Sequence, residues 1–162
     1  MQTFEIDVSG EDVFDKDYTI CIANKDGIIK GFKFDRKTTS DLLSKYDQEA
    51  YRYKKSKKNK STLKIRLYSI IIYYLFKSLK MKEEIVLNIC RDFYGRESDI
   101  KHNLKFFLEE KLNLKINHIN FEKLDKNSNA DRYAYLMRKD KKNKMKTYVN
   151  IKLKDIERWL IK

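Results

Sequence analysis

The segment that most constrains the fold is EEIVLNICRD at residues 83–92, a nearly continuous apolar run between two segments with helical spacing. A strand that is apolar on both faces is typical of the centre of a sheet that helices cover on both sides. The helical segment before it, residues 62–80, is apolar over most of its circumference, as expected for a helix that packs across a sheet. The run therefore predicts an α/β fold.

Three β-rich segments precede these elements, at residues 3–10 (TFEIDVSG), 18–23 (YTICIA) and 28–34 (IIKGFKF). The NKDG sequence at residues 24–27 contains the Asp-Gly pair that favours a hairpin turn, so the second and third segments are predicted to pair antiparallel. Together the three segments predict an antiparallel start to the sheet.

The remainder of the chain predicts helices that alternate with strands. Apolar spacing indicates a short helix within residues 38–53, a helix at 98–112, a strand at 114–121, a capped helix at 127–139 and a final amphipathic helix around 149–160. The predicted order is β-β-β-α-β-α-β-α, with an extra helix after the third strand and a helix appended at the C-terminal end. Strands joined by helices imply parallel pairing in the later part, so we predict a mixed five-stranded sheet flanked by helices.

The chain has 162 residues, a length typical of one domain, and we predict a core at residues 3–139 with a C-terminal extension at 140–162. Its 37 Lys and Arg residues exceed its 24 Asp and Glu residues, which gives a formal net charge of +13. This excess favours a polyanionic partner, nucleic acid (RNA or DNA) before an anionic membrane surface. The longest apolar run, residues 67–76, is too short to cross a bilayer, and no signal peptide is recognisable. The expected location is therefore the cytoplasm, without a membrane partner.

Three aspartates lie where a predicted strand ends or a predicted helix begins: Asp7 in EIDVSG, Asp92 in NICRD and Asp131 in NADRYAY. Each has an ordinary structural interpretation, as a turn residue, as the end of a strand, and as a favourable charge in the first turn of a helix, respectively. Three carboxylates gathered without a cation would repel one another and shift their pKa values. Their convergence in the predicted order of elements therefore favours a metal site.

This order of elements, with aspartates at the strand ends and on the last core helix, resembles the ribonuclease H-like (retroviral integrase-like) superfamily. The first and last motifs are similar to those of uncharacterised prokaryotic families within it, which combine a first-strand Asp-x-Ser-Gly with a late Ala-Asp. The resemblance spans about residues 3–139 and implies a central first strand with the fourth strand parallel beside it. It also implies a metal-dependent nuclease in which Asp7, Asp92 and Asp131 are the metal ligands and the catalytic residues.

The chemistry of phosphodiester cleavage suits this assignment. The reaction needs a water activated near neutral pH and a leaving oxygen that is stabilised as charge develops. Two Mg²⁺ or Mn²⁺ ions about 4 Å apart supply both when carboxylates hold them. These hard cations prefer oxygen ligands, so the scattered Cys and His residues are left out of the predicted set. Asp125 competes with Asp131 for the third position, and Glu11 and Asp12 are candidate outer ligands.

The chain departs from the resemblance at two places. The related families often have Glu at the position of Val8. Ribonucleases H proper carry a glutamate on the long helix, whereas residues 50–81 contain no acid. The predicted site therefore follows a three-acid plan, with Asp92 as the strand acid and few carboxylates to hold metal.

The segment between residues 52 and 66 is basic and contains no acid, and a second basic cluster lies at residues 138–146. We predict that the first segment is a loop that binds phosphates, preceded by aromatic residues that stack on bases or sugars. The alternative is a flexible, solvated linker. The predicted nucleic-acid-binding residues are Arg52, Lys54, Lys55, Lys57, Lys58, Lys60, Lys64, Arg66, Tyr51 and Tyr53.

The two cysteines and the two histidines have structural interpretations. Cys21 and Cys90 both fall in predicted strands. The predicted topology separates these strands by about 9–10 Å, beyond the roughly 7 Å reach of a disulfide, so free buried thiols are expected. His102 lies on an amphipathic helix and His118 in a strand, where structural histidines are commoner than catalytic ones.

These observations lead to three hypotheses. The first is a metal-dependent nuclease, an enzyme that hydrolyses the phosphodiesters of nucleic acid. The second is a non-catalytic nucleic-acid-binding protein on the same fold. The third is an interaction module whose basic loops bind an acidic protein.

Overall fold

The computed structural model describes residues 1–161, which contain a five-stranded sheet flanked by helices. The strands are β1 (Gln2–Ser9), β2 (Thr19–Ala23), β3 (Ile29–Lys33), β4 (Ile85–Ile89) and β5 (Ile116–Phe121). They lie in the order β3-β2-β1-β4-β5, in which the β1–β2 and β2–β3 pairs are antiparallel and the β1–β4 and β4–β5 pairs are parallel. The predicted α/β class, the mixed five-stranded sheet and the parallel pairing of the later strands are confirmed.

Within the same residues the helices are α1 (Arg36–Asp47), α2 (Lys57–Leu79), α3 (Glu97–Leu104), α4 (Asn129–Lys139) and α5 (Leu153–Glu157). Helix α3 continues directly into a π-helical segment, Lys105–Glu110, where the sequence predicted one uninterrupted α-helix. None of the helices in residues 1–161 combines the length and the apolar character needed to cross a membrane. The helices lie between the strands in the predicted order.

Helix α2 begins at Lys57, earlier than the predicted start at residue 62. Ser56 caps it, because its hydroxyl oxygen accepts a hydrogen bond from the backbone N–H of Asn59 at 3.0 Å. Residues 57–61 of the basic segment, predicted to be loop, are therefore helical, whereas Lys64 and Arg66 lie on the helix as predicted. The basic residues of that segment that lie on α2 are Lys57, Lys58, Lys60, Lys64 and Arg66.

The sheet is buried on both faces, as β2 illustrates, because all of its residues are buried. On one face, Ile20 and Ile22 join the core that includes α2. On the other face, Cys21 and Ala23 pack with α4. Helix α4 also packs against β1 and β3, so it covers the face that carries Asp7, the partner of Cys21 in the β1–β2 register.

The C-terminal segment packs on the core. The Gly31 N–H donates to the Thr147 carbonyl and the Val149 N–H donates to the Gly31 carbonyl, both at 2.9 Å, so this segment runs along the outer edge of β3. Helix α5 packs on α2, where the Tyr74 hydroxyl donates to the Asp155 carbonyl at 2.7 Å. The extension therefore covers an edge strand that would otherwise expose unpaired backbone groups.

Candidate metal centre at the ends of strands β1 and β4

The candidate site is centred on Asp7, near the C-terminal end of β1. Asp7 lies opposite Cys21 of β2. The parallel register of β1 with β4 pairs Ile6 with Ile89, so Cys90 lies beside Asp7 on the other side. The Cys90 N–H donates to the Ile6 carbonyl at 3.0 Å, which extends the ladder by one step. Laterally paired residues project to the same face of a sheet, so these three side chains share one face.

Asp92 completes a group of three potential ligands, Asp7, Cys90 and Asp92, which we call the acid cluster. One ligand atom from each residue lies within 4.8 Å of the other two. Strand β4 ends at Ile89, and the Asp92 N–H then donates to the Cys90 carbonyl at 3.0 Å in a tight turn. The structure thus brings Asp7 and Asp92 together, as the sequence predicted.

The carboxylates of the acid cluster are poorly compensated. Asp7 is 4% exposed, and its carboxylate accepts a hydrogen bond from the Val8 N–H at 2.8 Å. Burial and the nearby Asp131 raise the pKa of Asp7 to about 6, against the opposing effect of the Val8 N–H. Loss of solvation, and then the charge of Asp7, raise the pKa of Asp92 to about 7, although Asp92 as a residue is solvent-exposed. In residues 1–161, neither carboxylate forms an ion pair with Lys, Arg or His within 4.0 Å.

Cys90 lies between the two carboxylates. Both cysteines are free, as predicted, but Cys90 lies one residue beyond β4 and is only half-buried. Burial, followed by the charges of Asp92 and Asp7, raises the pKa of Cys90 to about 12. Without a cation the side chain is therefore a neutral thiol.

Asp131 lies in the first turn of α4, where its N–H donates to the Ser128 hydroxyl oxygen at 3.2 Å. Its negative charge contributes to the raised pKa of Asp7, but within residues 1–161 it does not belong to the group of ligand atoms within 4.8 Å. Asp125, the alternative third acid, lies beside Glu5, whose pKa is raised by burial and further by Asp125. The structure therefore brings Asp131, and not Asp125, to Asp7.

The other sequence candidates lie outside the acid cluster. Glu11 is exposed in the β1–β2 loop. Asp12 forms an ion pair with Lys64, and this bond lowers the pKa of Asp12 although burial opposes its charge. His102 and His118 are both exposed. Asp12 is thus already neutralised by the chain itself.

A buried tyrosine of α2 packs beside the loop that carries Asp92, because the Tyr68 and Phe93 ring centroids are 5.1 Å apart. Tyr68 is 1% exposed, and its hydroxyl oxygen has no hydrogen-bond partner within residues 1–161. Burial, and then the charge of Asp92, raise the pKa of Tyr68 well above its usual value. A buried polar group left unpaired costs about 1–3 kcal/mol. The fold therefore keeps an unsatisfied donor at this site.

The basic segment leads along α2 toward the acid cluster. Lys57, Lys60 and Lys64 are three or four residues apart, on successive turns of the face that also carries Tyr68. Lys64 is the one of these whose ammonium group pairs with Asp12 of the β1–β2 loop. The lysines therefore approach the site from the N-terminal end of the helix.

The remaining predicted nucleic-acid-binding residues divide into exposed and engaged side chains. Arg66 is half-buried and donates to the Asn103 side-chain oxygen at 2.9 Å. Tyr51 is 2% exposed and its hydroxyl donates to Glu157 at 2.8 Å, so Tyr51 is not available for stacking, contrary to the prediction. Tyr53 is half-buried. The exposed members are Arg52, Lys54, Lys55, Lys57, Lys58 and Lys60.

The donor set of the acid cluster fits a divalent cation. Its two carboxylates supply the oxygen ligands that Mg²⁺ and Mn²⁺ prefer, and Cys90 adds a softer donor. The pKa values of Asp7 and Asp92 are raised because both carboxylates are desolvated and no positive charge of residues 1–161 lies beside them. A cation there would provide that charge. Asp7 and Asp92 are the residues that would hold it, with Asp131 supporting Asp7.

The sequence-based analysis missed Cys90 and Tyr68 as site residues. Cys90 lies only two residues before Asp92, and this closeness in sequence was the available signal that both side chains belong to one site. Tyr68 lies inside an apolar run, and nothing in the sequence marks its hydroxyl as unpaired.

No family model matches the chain, and neither a curated protein nor a solved structure matches it. Its function is therefore inferred from the geometry and the chemistry of the site.

Proposed function

We propose that this protein is a divalent-metal-dependent nuclease that hydrolyses nucleic acid phosphodiesters on a ribonuclease H-like fold. Strand β1 is central and β4 lies parallel beside it, as the resemblance to that superfamily implies. Acids lie at the adjacent ends of these strands, and a third acid, Asp131 on α4, is near enough to raise the pKa of Asp7. The observation that carries the proposal is the Asp7–Asp92 pair, whose carboxylates are adjacent and have no basic partner within residues 1–161.

In this proposal Asp7 and Asp92 hold the cation, and Asp131 adds negative charge beside Asp7. The cation supplies charge stabilisation for the phosphate oxygens and makes water a better nucleophile near neutral pH. With pKa values of about 6 for Asp7 and about 7 for Asp92, protons compete with the cation in this range. Cleavage is therefore expected to rise as the pH increases through these values.

Helix α2 supplies the basic side chains for the substrate backbone. The exposed Lys57 and Lys60 lead along one face toward Tyr68 and the acid cluster. Ammonium groups bind phosphates as point charges, and the N-terminal end of a helix without acids in its first turn adds positive potential. A nucleic acid strand that follows this face would present a phosphodiester to the acids.

The test is cleavage of labelled single-stranded, duplex, hybrid and junction substrates in Mg²⁺ and in Mn²⁺. Asp7→Asn and Asp92→Asn each remove a negative charge with little change in shape, so we expect at least about a hundredfold loss of cleavage. Asp26→Asn, in the exposed turn between β2 and β3, is the matched control and should cleave as the wild type does. Cleavage that survives both Asp7→Asn and Asp92→Asn would rule out the assigned site.

A second candidate function is nucleic acid binding without cleavage. It is favoured by the lack of acids in residues 50–81. The position of Asp131 also favours it. Among residues 1–161, Asp131 is not part of the acid cluster, so the cluster has only two carboxylates to hold metal. Retention of a labelled strand by the wild type, with no product in either cation, would favour this candidate.

A further inference from the structure

We infer that Cys90 is a direct metal ligand, and that the site prefers a thiophilic divalent cation, such as zinc or cobalt, to magnesium. The inference rests on the proposed function, because it names the cation class of the same site. It adds to the carboxylate pair a ligand that the resemblance to ribonuclease H-like proteins does not supply.

The position of Cys90 follows from the strand register. Because Ile6 pairs with Ile89, Cys90 is the lateral neighbour of Asp7, and it packs on the α4 side of the sheet. One ligand atom each from Asp7, Cys90 and Asp92 lies within 4.8 Å of the others. Zinc lies about 2.3 Å from sulfur and about 2.0–2.2 Å from oxygen, so small side-chain adjustments suffice to close the group around it.

The mixed donor set decides the class of cation. Magnesium demands near-ideal octahedral oxygen coordination, whereas zinc and cobalt accept thiolate together with carboxylate. When such a cation binds, the Cys90 thiol releases its proton to solvent and the sulfur–metal bond forms. Two carboxylates and one thiolate then face the cation, which favours zinc, cobalt or cadmium over magnesium.

The Tyr68 hydroxyl is an independent observation at the same place. It is buried, has no hydrogen-bond partner within residues 1–161, and its ring packs on Phe93, next to Asp92. Native structures rarely leave such a hydroxyl unpaired. A cation held by three side chains would keep an open position for a solvent molecule, a polar group of the kind that the Tyr68 hydroxyl lacks.

Cys21 provides a matched control for Cys90. It lies on the other side of Asp7 in the β1–β2 pairing, is fully buried, and directs its thiol to the Ile22 carbonyl at 3.6 Å. Within residues 1–161 it is not a member of the ligand group. The chain thus offers one thiol inside the acid cluster and one beside it.

The test is titration of the metal-free protein with Cd²⁺ and Co²⁺, followed through the sulfur-to-metal charge-transfer absorption. The wild type and Cys21→Ser should develop the band to the same extent. Cys90→Ser should lack it and should bind Cd²⁺ at least about tenfold more weakly. An equal band in Cys90→Ser, or no band in the wild type, would overturn the inference.

Protection of the thiol is a second measurement, and it needs no substitution. Cys90 is half-buried and Cys21 is 0% exposed, so a thiol reagent should modify Cys90 first in the folded protein. Zn²⁺ should slow that modification at least about tenfold at a concentration where Mg²⁺ has little effect. Equal rates with and without Zn²⁺ would also overturn the inference.

Cleavage assays separate this inference from the proposed function. Cleavage that depends on Asp7 but proceeds equally in the wild type and Cys90→Ser, with no charge-transfer band, would overturn the inference and leave the nuclease function standing. A band that depends on Cys90, without cleavage in any cation, would support the inference and contradict the nuclease function.

Discussion

Two carboxylate sites of this protein lie beside buried tyrosines, and they are compensated in opposite ways. Glu157 of α5 accepts hydrogen bonds from the Lys45 ammonium group at 2.9 and 2.7 Å and from the Tyr51 hydroxyl at 2.8 Å. In the acid cluster, Asp7 has no basic partner within residues 1–161, and the nearby Tyr68 hydroxyl is unpaired. The first arrangement joins α5 to the core, whereas the second leaves negative charge for a ligand to neutralise.

The contrast separates a carboxylate that the chain compensates from one that it leaves without a basic partner within residues 1–161. Burying a charge without a partner is unfavourable, so a protein that keeps such a charge sacrifices stability. The Glu157 site avoids this penalty through its own chain. The acid cluster would avoid it by taking up protons at low pH or, as proposed, by binding a cation.

The largest expected effect is a pair of stability changes of opposite sign. Asp7→Asn removes an uncompensated buried charge, so it should raise the free energy of unfolding of the metal-free protein by about 2 kcal/mol at about pH 8. Glu157→Gln should lower the free energy of unfolding by about 1–2 kcal/mol, because Lys45 and Tyr51 lose a charged acceptor. Denaturant unfolding in the presence of a chelator measures both changes. If Asp7→Asn destabilised the protein as much as Glu157→Gln, Asp7 would be a structural residue too.

The pH dependence sharpens this contrast. The pKa of Asp7 rises from 3.8 to about 6 on folding, so the folded state holds the proton more tightly than the unfolded state. The contribution of Asp7 to stability is present below its pKa in the unfolded state. It is lost as the pH rises through its pKa in the folded state. The gain from Asp7→Asn should thus be near zero below about pH 4 and complete above about pH 7. Unfolding curves of the wild type and Asp7→Asn across this range check it, and a gain that does not vary with pH would contradict it.

The two tyrosines should also behave differently. Tyr51→Phe should lower the free energy of unfolding by about 1–2 kcal/mol, because Glu157 loses a hydrogen bond to its charged carboxylate. Tyr68→Phe should be neutral or should stabilise the metal-free protein by up to about 1 kcal/mol, because it removes an unpaired buried hydroxyl. The same denaturation experiment compares them. Equal losses in both variants would mean that the Tyr68 hydroxyl is satisfied in the absence of a ligand.

The smallest expected effect concerns two lysines, one that is paired with a carboxylate and one that is not. Lys45 is paired with Glu157, whereas Lys60 is exposed and forms no ion pair within residues 1–161. If Lys60 contacts one phosphate, Lys60→Ala should make the slope of log affinity against log salt on duplex DNA shallower by about 0.9. Lys45→Ala should leave that slope unchanged. Fluorescence anisotropy at several salt concentrations measures it, and identical slopes for Lys60→Ala and the wild type would exclude Lys60 from the contact surface.

The strand pattern could be predicted from the sequence because it depends on local signals. The Asp-Gly turn before Ile28 indicates the β2–β3 hairpin, and the intervening helices require the later strands to be parallel. The start of α2 was not predicted, because its apolar periodicity begins only at Leu63. The helix begins earlier because Ser56 caps a first turn that has no apolar residue.

The site could be predicted only in part, because some of its features depend on contacts between distant segments. The proximity of Asp7 and Asp92 could be predicted, because each lies near the end of a strand and the two strands are neighbours in the predicted sheet. The role of Cys90 depends on the register between β1 and β4, which the sequence does not specify. The burial of Tyr51 depends on Glu157, 106 residues further along the chain, and the unpaired Tyr68 hydroxyl is a property of the folded protein alone.

Calorimetric titration of the metal-free protein with Mn²⁺, at about pH 8, tests most directly whether the acid cluster holds a divalent cation. We predict saturable binding by the wild type and by Glu157→Gln, and loss of that binding in Asp7→Asn. The reason is that Asp7 belongs to the acid cluster and Glu157 does not. Equal binding by Asp7→Asn and the wild type, or no binding by the wild type, would contradict the assignment.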